Sequence, residues 1–148
     1  MMLQKAARQY KYYLISAASK NTKLGRILIF RQGRTGSTLL TDLLSKHDDV
    51  FCHEEIFGNH HLGPFLFPSR LADGMAESVE GRVYGFHVKP GQLRDNTVIG
   101  DLSKWLHEME QQGWYIVHLC RKNLLKHAVS TIKASRTNVY QGQSHQAC

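Results

Sequence analysis

Residues 31–38 read Arg-Gln-Gly-Arg-Thr-Gly-Ser-Thr. Guanidinium groups give forked, charged hydrogen bonds to anions. Glycines permit φ > 0 and let backbone N–H groups come close to a ligand. Hydroxyls donate to anionic oxygens. A second stretch, His53-Glu54-Glu55-Ile56-Phe57, sets an imidazole beside two carboxylates. Those are groups that take a proton from a reacting hydroxyl, at a typical gain of about 10²–10⁴-fold in rate. A third stretch, Gly85-Phe86-His87-Val88-Lys89-Pro90, offers His87 and Lys89 to stabilise charge on a breaking bond. In the fourth, Arg121 and Lys122 precede Ser130.

Several chemistries are excluded by spacing. A Walker A loop needs GxxxxGK[ST], but Gly33 and Gly36 are too close together and no lysine precedes Ser37. The dinucleotide pattern GxGxxG is absent as well. Phe57 stands where HExxH needs its second histidine, and the other histidines lack ligand spacing, so no metal site is expected. His60 and His61 read as a solvated loop pair.

These residues need elements to position them. Arg26–Phe30 is a short apolar run and reads as a buried strand. It runs straight into the glycine stretch. Leu39, Leu40, Leu43 and Leu44 then recur at helical spacing, so a helix begins near Ser37. Strand, glycine loop and helix make an anion site, because the helix N-terminus leaves free N–H groups and a positive dipole end. Residues 50–57 read as a second strand ending in a loop. Residues 58–80, with two prolines, read as irregular connection. A third strand is expected over 82–88, ended by Pro90 and Gly91. Asp101 or Ser103 caps a helix stopped by Gly113, and residues 114–120 form a further strand. Leu124, Leu125, Ala128, Val129 and Ile132 mark a last helix. Trp105, Trp114 and the leucine stripes are expected in the core.

The alternation predicts an α/β fold: three layers, with a mainly parallel sheet flanked by helices. Ligands of such sheets sit beyond the carboxyl ends of the strands. Both 31–38 and 121–130 fall there.

The 148 residues suit one domain. Residues 1–20 read as an N-terminal helix and 137–148 as a disordered tail. A net charge of +7 fits a polyanionic ligand. It is dispersed and shows no aromatic–basic platform, so nucleic acid is not expected. Three scattered cysteines fit a reducing compartment, and no apolar run is long enough to span a membrane. The N-terminal segment lacks the apolar stretch of a signal peptide, so the chain is expected to be cytoplasmic.

The glycine stretch resembles the 5′-phosphosulfate loop of the sulfotransferases that use 3′-phosphoadenosine 5′-phosphosulfate (PAPS). Leu39 and Leu40 after it look like the bacterial trehalose- and nodulation-factor-type branch. The resemblance covers roughly residues 25–136 and implies a P-loop-NTPase-like sulfotransferase fold. It implies that Arg31, Gly33, Arg34, Thr35, Gly36, Ser37 and Thr38 hold the 5′-phosphosulfate. Ser130, with Arg121 or Lys122, would hold the 3′-phosphate. The family puts the basic residue eight before the serine, where this chain has Lys122; Arg121 is nine before. Glu55 matches the general base of that branch; beside the resemblance, Arg34, His87 and Lys89 are the further catalytic candidates that residue chemistry offers. His53 or Glu54 would bind the acceptor, a carbohydrate or glycolipid hydroxyl by analogy. Family members run longer, so the resemblance also implies a domain incomplete at its C-terminus. Other expectations stay open: a nucleotide-binding fragment without catalysis, or a P-loop-like small-molecule kinase.

Overall fold

The computed structural model describes residues 10–17, 25–58, 65–79 and 81–137. Helix α1 (residues 10–17) comes first. Then follow β1 (Arg26–Arg31), α2 (Ser37–Leu44), β2 (Val50–His53), α3 (Pro68–Glu77) and β3 (Val83–Val88). The series ends with α4 (Pro90–Asn96), α5 (Leu102–Gln111), β4 (Trp114–Leu119) and α6 (Leu124–Thr137). The rest of the expected N-terminal helix, and the tail after Thr137, lie outside the described residues. No described helix is long and apolar enough to cross a membrane.

The strands form one sheet in the order β2-β3-β1-β4, and every pairing is parallel. Leu28 on β1 lies opposite Phe86 on β3 and Ile116 on β4. Side chains alternate across a sheet, so Leu28, Tyr84, Phe86, Val88 and Trp114 share one face. Leu71 and Ala72 of α3 and Trp105 and Met109 of α5 complete the core with them. The aromatic rings meet edge to face, as Phe86 and Trp114 do at 5.3 Å. Asp73 of α3 ties this layer to the sheet. It accepts from Arg26 at 2.9 Å and from the Trp114 indole at 3.0 Å.

The other face carries Ile27, Ile29, Arg31, Cys52, Gly85 and His87, and α2 packs against β2 and β3. The crossover from β1 to β2 passes β3, while that from β3 to β4 passes β1 in the opposite direction. Right-handed crossovers running in opposite directions leave their helices on opposite faces. The loops after β1 and β3 therefore part from each other at the strands' carboxyl ends and open a crevice between them.

Two helices were not legible in the sequence. Residues 58–80 contain α3, which starts with Pro68 at its first turn, where a missing N–H costs nothing. Its mid-helix Gly74 reads as a breaker, yet α1 crosses there. A Cβ on Gly74 would stand 1.9 Å from the Tyr12 carbonyl oxygen. Likewise, Pro90 and Gly91 do not merely end a strand; they open α4. The Lys89 N–H donates to Gln92 Oε1 at 3.0 Å, a cap built from a glutamine three residues on.

The leucine stripes also differ from expectation, whereas Trp105 and Trp114 are buried. Helix α2 turns Ser37 and Thr41 inward and leaves Leu39 and Leu43 exposed. On α6, Ala134 is the buried residue, and Leu124 and Leu125 are 74% and 76% exposed. Helical period alone does not say which face of a helix finds a neighbour. Here α6 is held mainly by polar contacts at its start.

Candidate functional site

The glycine stretch leaves the carboxyl end of central strand β1 and enters α2. Gly36 is the residue before the helix, at φ 89°, a left-handed backbone that glycine adopts without strain. The second left-handed position is Arg34 at φ 62°, rather than Gly33. A non-glycine residue there costs roughly 1–2 kcal/mol, so other contacts must hold it. They come from α6. Arg34 Nε donates to Ser130 Oγ at 3.0 Å, and Arg121 Nη1 donates to the Arg34 carbonyl at 3.3 Å. The His127 ring lies 2.6 Å from the Gly33 carbonyl. Asn123 caps α6 by accepting from the Lys126 N–H at 2.8 Å, which fixes where the helix begins. The segments 31–38 and 121–130 thus touch directly.

No side chain caps α2 at Gly36. The amides of its first turn have no intrahelical partner, as at every helix start. Ser37 is buried at that turn, while Thr35 and Thr38 are half-buried. The Thr35 hydroxyl donates to the Gln32 carbonyl at 3.0 Å. Lys122 is exposed beside Arg121.

Arg31 bonds to groups beyond the loop as well as to the Gln32 carbonyl, which accepts from Nη1 at 3.3 Å. Its side chain is 6% exposed and spans the carboxyl ends of three strands. Nε donates to His87 Nδ1 at 2.9 Å, and Nη2 donates to Glu55 Oε1. Lys89 Nζ lies 2.7 Å from the same carboxylate oxygen, and Gln92 Nε2 donates to Oε2. Burial by itself would raise the Glu55 pKa. The Lys89 hydrogen bond and charge, the Arg31 charge and the Gln92 hydrogen bond outweigh it and hold this carboxyl below its ordinary value. Glu55 is therefore ionised at neutral pH, with both oxygens occupied and with reduced basicity.

His87 is 2% exposed, and its imidazole is pushed down to about 4. Burial is the main cause. The Arg31 and Lys89 charges add to it, and Glu55 opposes it. His87 is neutral, accepts at Nδ1, and leaves a buried Nε2 without a hydrogen-bond partner. It carries no charge toward a ligand and acts on Arg31. His53 Nδ1 lies 2.9 Å from the Tyr84 hydroxyl and packs edge-on against Phe51, while Glu54 is exposed.

An open cleft of about 450 Å³ lies beside this network. Gln32 and Gly33 line it from the β1 loop, and Glu55 and Gly58 from the segment after β2. Lys89, Pro90, Gly91 and Gln92 line it from the turn into α4. It occupies the crevice that the diverging crossovers create. Sequence reasoning missed Gln32, Gly58, Pro90, Gly91 and Gln92 of this lining, and His127 on the loop. The Gln92 signal was present, since a glutamine three residues after a helix start is a capping pattern. His127 gave none, because only the tertiary fold brings α6 onto the loop. Among the described residues no group of histidines, cysteines and carboxylates is arranged to hold a metal ion.

No family model matches the chain, and neither a curated protein nor a solved structure matches it.

Proposed function

We propose that the chain is a PAPS-dependent sulfotransferase of the P-loop-like kind. It would move the sulfuryl group of PAPS to a hydroxyl acceptor, with a carbohydrate or glycolipid as the acceptor class. One observation carries this reading: the glycine loop and the Arg121–Ser130 segment are in contact through Arg34, Arg121 and Ser130. A nucleotide with anions at both its 5′ and 3′ positions needs two neighbouring cationic elements, and these two elements supply them. The loop amides, Arg34, Thr35, Ser37 and Thr38 would take the 5′ end; Ser130, with Arg121 or Lys122, would take the 3′-phosphate.

In this reading the acceptor enters the cleft lined by Lys89 and Glu55. Its hydroxyl oxygen attacks sulfur in line with the bridging oxygen. The new S–O bond forms as the bridging S–O bond breaks, and the electron pair leaves on the 5′-phosphate of adenosine 3′,5′-bisphosphate. The acceptor proton passes to Glu55, for which Lys89 must first give up its hold on Oε1. Lys89 would then neutralise the charge gathering on the bridging oxygen.

A second reading, nucleotide binding without transfer, is favoured by one observation. Donors engage both Glu55 oxygens and lower its basicity. Sulfate transfer from PAPS to a panel of sugars separates the two readings.

Arg34→Ala tests the loop assignment. It removes the guanidinium that reaches Ser130. Charge-assisted hydrogen bonds contribute about 1.5–3 kcal/mol, so the affinity for adenosine 3′,5′-bisphosphate is expected to fall by at least roughly tenfold. Unchanged affinity by calorimetry would sink the assignment.

A further inference from the structure

Three consecutive carbonyls of the glycine loop, those of Gln32, Gly33 and Arg34, each accept a side-chain hydrogen bond. Thr35 Oγ1 and Arg31 Nη1 serve Gln32 at 3.0 and 3.3 Å. His127 Nε2 serves Gly33 at 2.6 Å, and Arg121 Nη1 serves Arg34 at 3.3 Å. A carbonyl oxygen has no proton to give, so His127 Nε2 is the donor. Two of the three carbonyls are thus held from α6 and the turn that leads into it, a segment that enters the fold more than eighty residues later in the chain.

A peptide unit is a rigid plate, and in the trans form its C=O and N–H point opposite ways. No described peptide bond is cis. Fixing the Gly33 carbonyl toward His127 therefore turns the Arg34 N–H away from α6. Fixing the Arg34 carbonyl toward Arg121 turns the Thr35 N–H away from the connection that precedes α6. An anion cradle of successive amides requires this arrangement: N–H groups converging on one side, carbonyls held back on the other. Left alone, the Gly33 peptide could rotate, since glycine tolerates either orientation. An inward carbonyl would then repel the anion.

We infer that His127 is a positioning residue for the anion-binding loop: its Nε2–H locks the Gly33 peptide so that the following amides face a 5′-phosphate or phosphosulfate oxygen. This rests on the loop's reading as the 5′ anion site. Arg121 shares the task through the Arg34 carbonyl, which gives it a role at the loop in addition to any contact with a 3′-phosphate.

Calorimetric titration of the full chain with two probes tests it. Adenosine 3′,5′-bisphosphate has the 5′ anion, and adenosine 3′-monophosphate lacks it. The parent chain is expected to prefer the bisphosphate. His127→Ala should weaken the bisphosphate by about tenfold, the worth of one well-made hydrogen bond, and leave the monophosphate within about twofold. His127→Gln keeps an N–H at similar reach and should recover most of the preference. An unchanged preference in His127→Ala overturns the inference, as does an equal loss for both nucleotides. So does an Ala-like loss of preference in His127→Gln. A melting curve of each variant precedes the titration, and if His127→Ala is unfolded the Gln variant alone decides. A parent chain with no preference for the bisphosphate contradicts the loop reading itself, which is a different result from a failed His127 effect.

Discussion

Glu55→Gln is expected to melt roughly 10 °C below the parent chain, an amount set by the charge it leaves behind. Arg31 is almost fully buried and has its charge balanced by Glu55, which Lys89 and Gln92 also grip. Removing one partner of a buried pair strands the other and costs about 3–5 kcal/mol. Glu55 is a quarter exposed. Water therefore repairs part of the loss, and the lower end, about 3 kcal/mol, is the expected figure. For a chain of this size each kcal/mol shifts the melting temperature by about 2–4 °C. The amide of the glutamine can still accept one bond, but it carries no charge for Arg31 or Lys89. The paired change Arg31→Met with Glu55→Met should recover much of the loss, because replacing both charges by apolar groups avoids the stranded cation. Differential scanning calorimetry reads both. A Glu55→Gln melting point within about 2 °C of the parent would mean the carboxylate does not anchor the strand ends.

Acidification is expected to destabilise the fold well above the range in which carboxylates titrate, because of His87. Its pKa in the folded chain is about 4, against an ordinary 6.5. The native state therefore refuses a proton that the unfolded chain accepts. Stability from the neutral ring is fully present above pH 6.5 and is lost as pH falls toward 4. Between pH 7.5 and 5 the loss from this group is about 2 kcal/mol. Glu55 has the same sign at lower pH: its carboxyl is held below the ordinary 4.5, so its contribution fades only beneath that value. His87→Gln can still accept from Arg31 Nε and does not titrate. Urea denaturation at the two pH values should show the parent losing about 2 kcal/mol and His87→Gln losing far less. Equal losses in both chains would contradict the account of a buried neutral imidazole.

Four strands were legible in the sequence because each is a short apolar run of strand length. The helix after the glycine loop was legible because its leucines recur every three or four residues. The loop between β1 and α2 was legible because its glycines sit directly behind a strand and ahead of a helical pattern. What was not legible depends on partners far off in the chain. Gly74 looked like a breaker because the Tyr12 backbone that needs its missing side chain is sixty residues away. Pro90 looked like a terminator when it is a helix start. The bonds of Arg31 to Glu55 and His87 were not legible either, since both partners lie more than twenty residues away. His127 shows nothing in sequence, since its bond to Gly33 exists only once α6 lies over the loop. The exposed stripe of α6 has the same cause: periodicity marks an amphipathic helix, and only packing decides what its apolar side meets.

The central claim is that the loop at 31–38 and the segment at 121–130 together hold a nucleotide with anions at both its 5′ and 3′ positions. Calorimetric titration of the chain with adenosine 3′,5′-bisphosphate, and separately with ATP and magnesium, tests it most directly. The account predicts saturable one-to-one binding of the bisphosphate, at least roughly tenfold tighter than ATP with magnesium. Tighter binding of ATP with magnesium, or no binding of the bisphosphate, would contradict it.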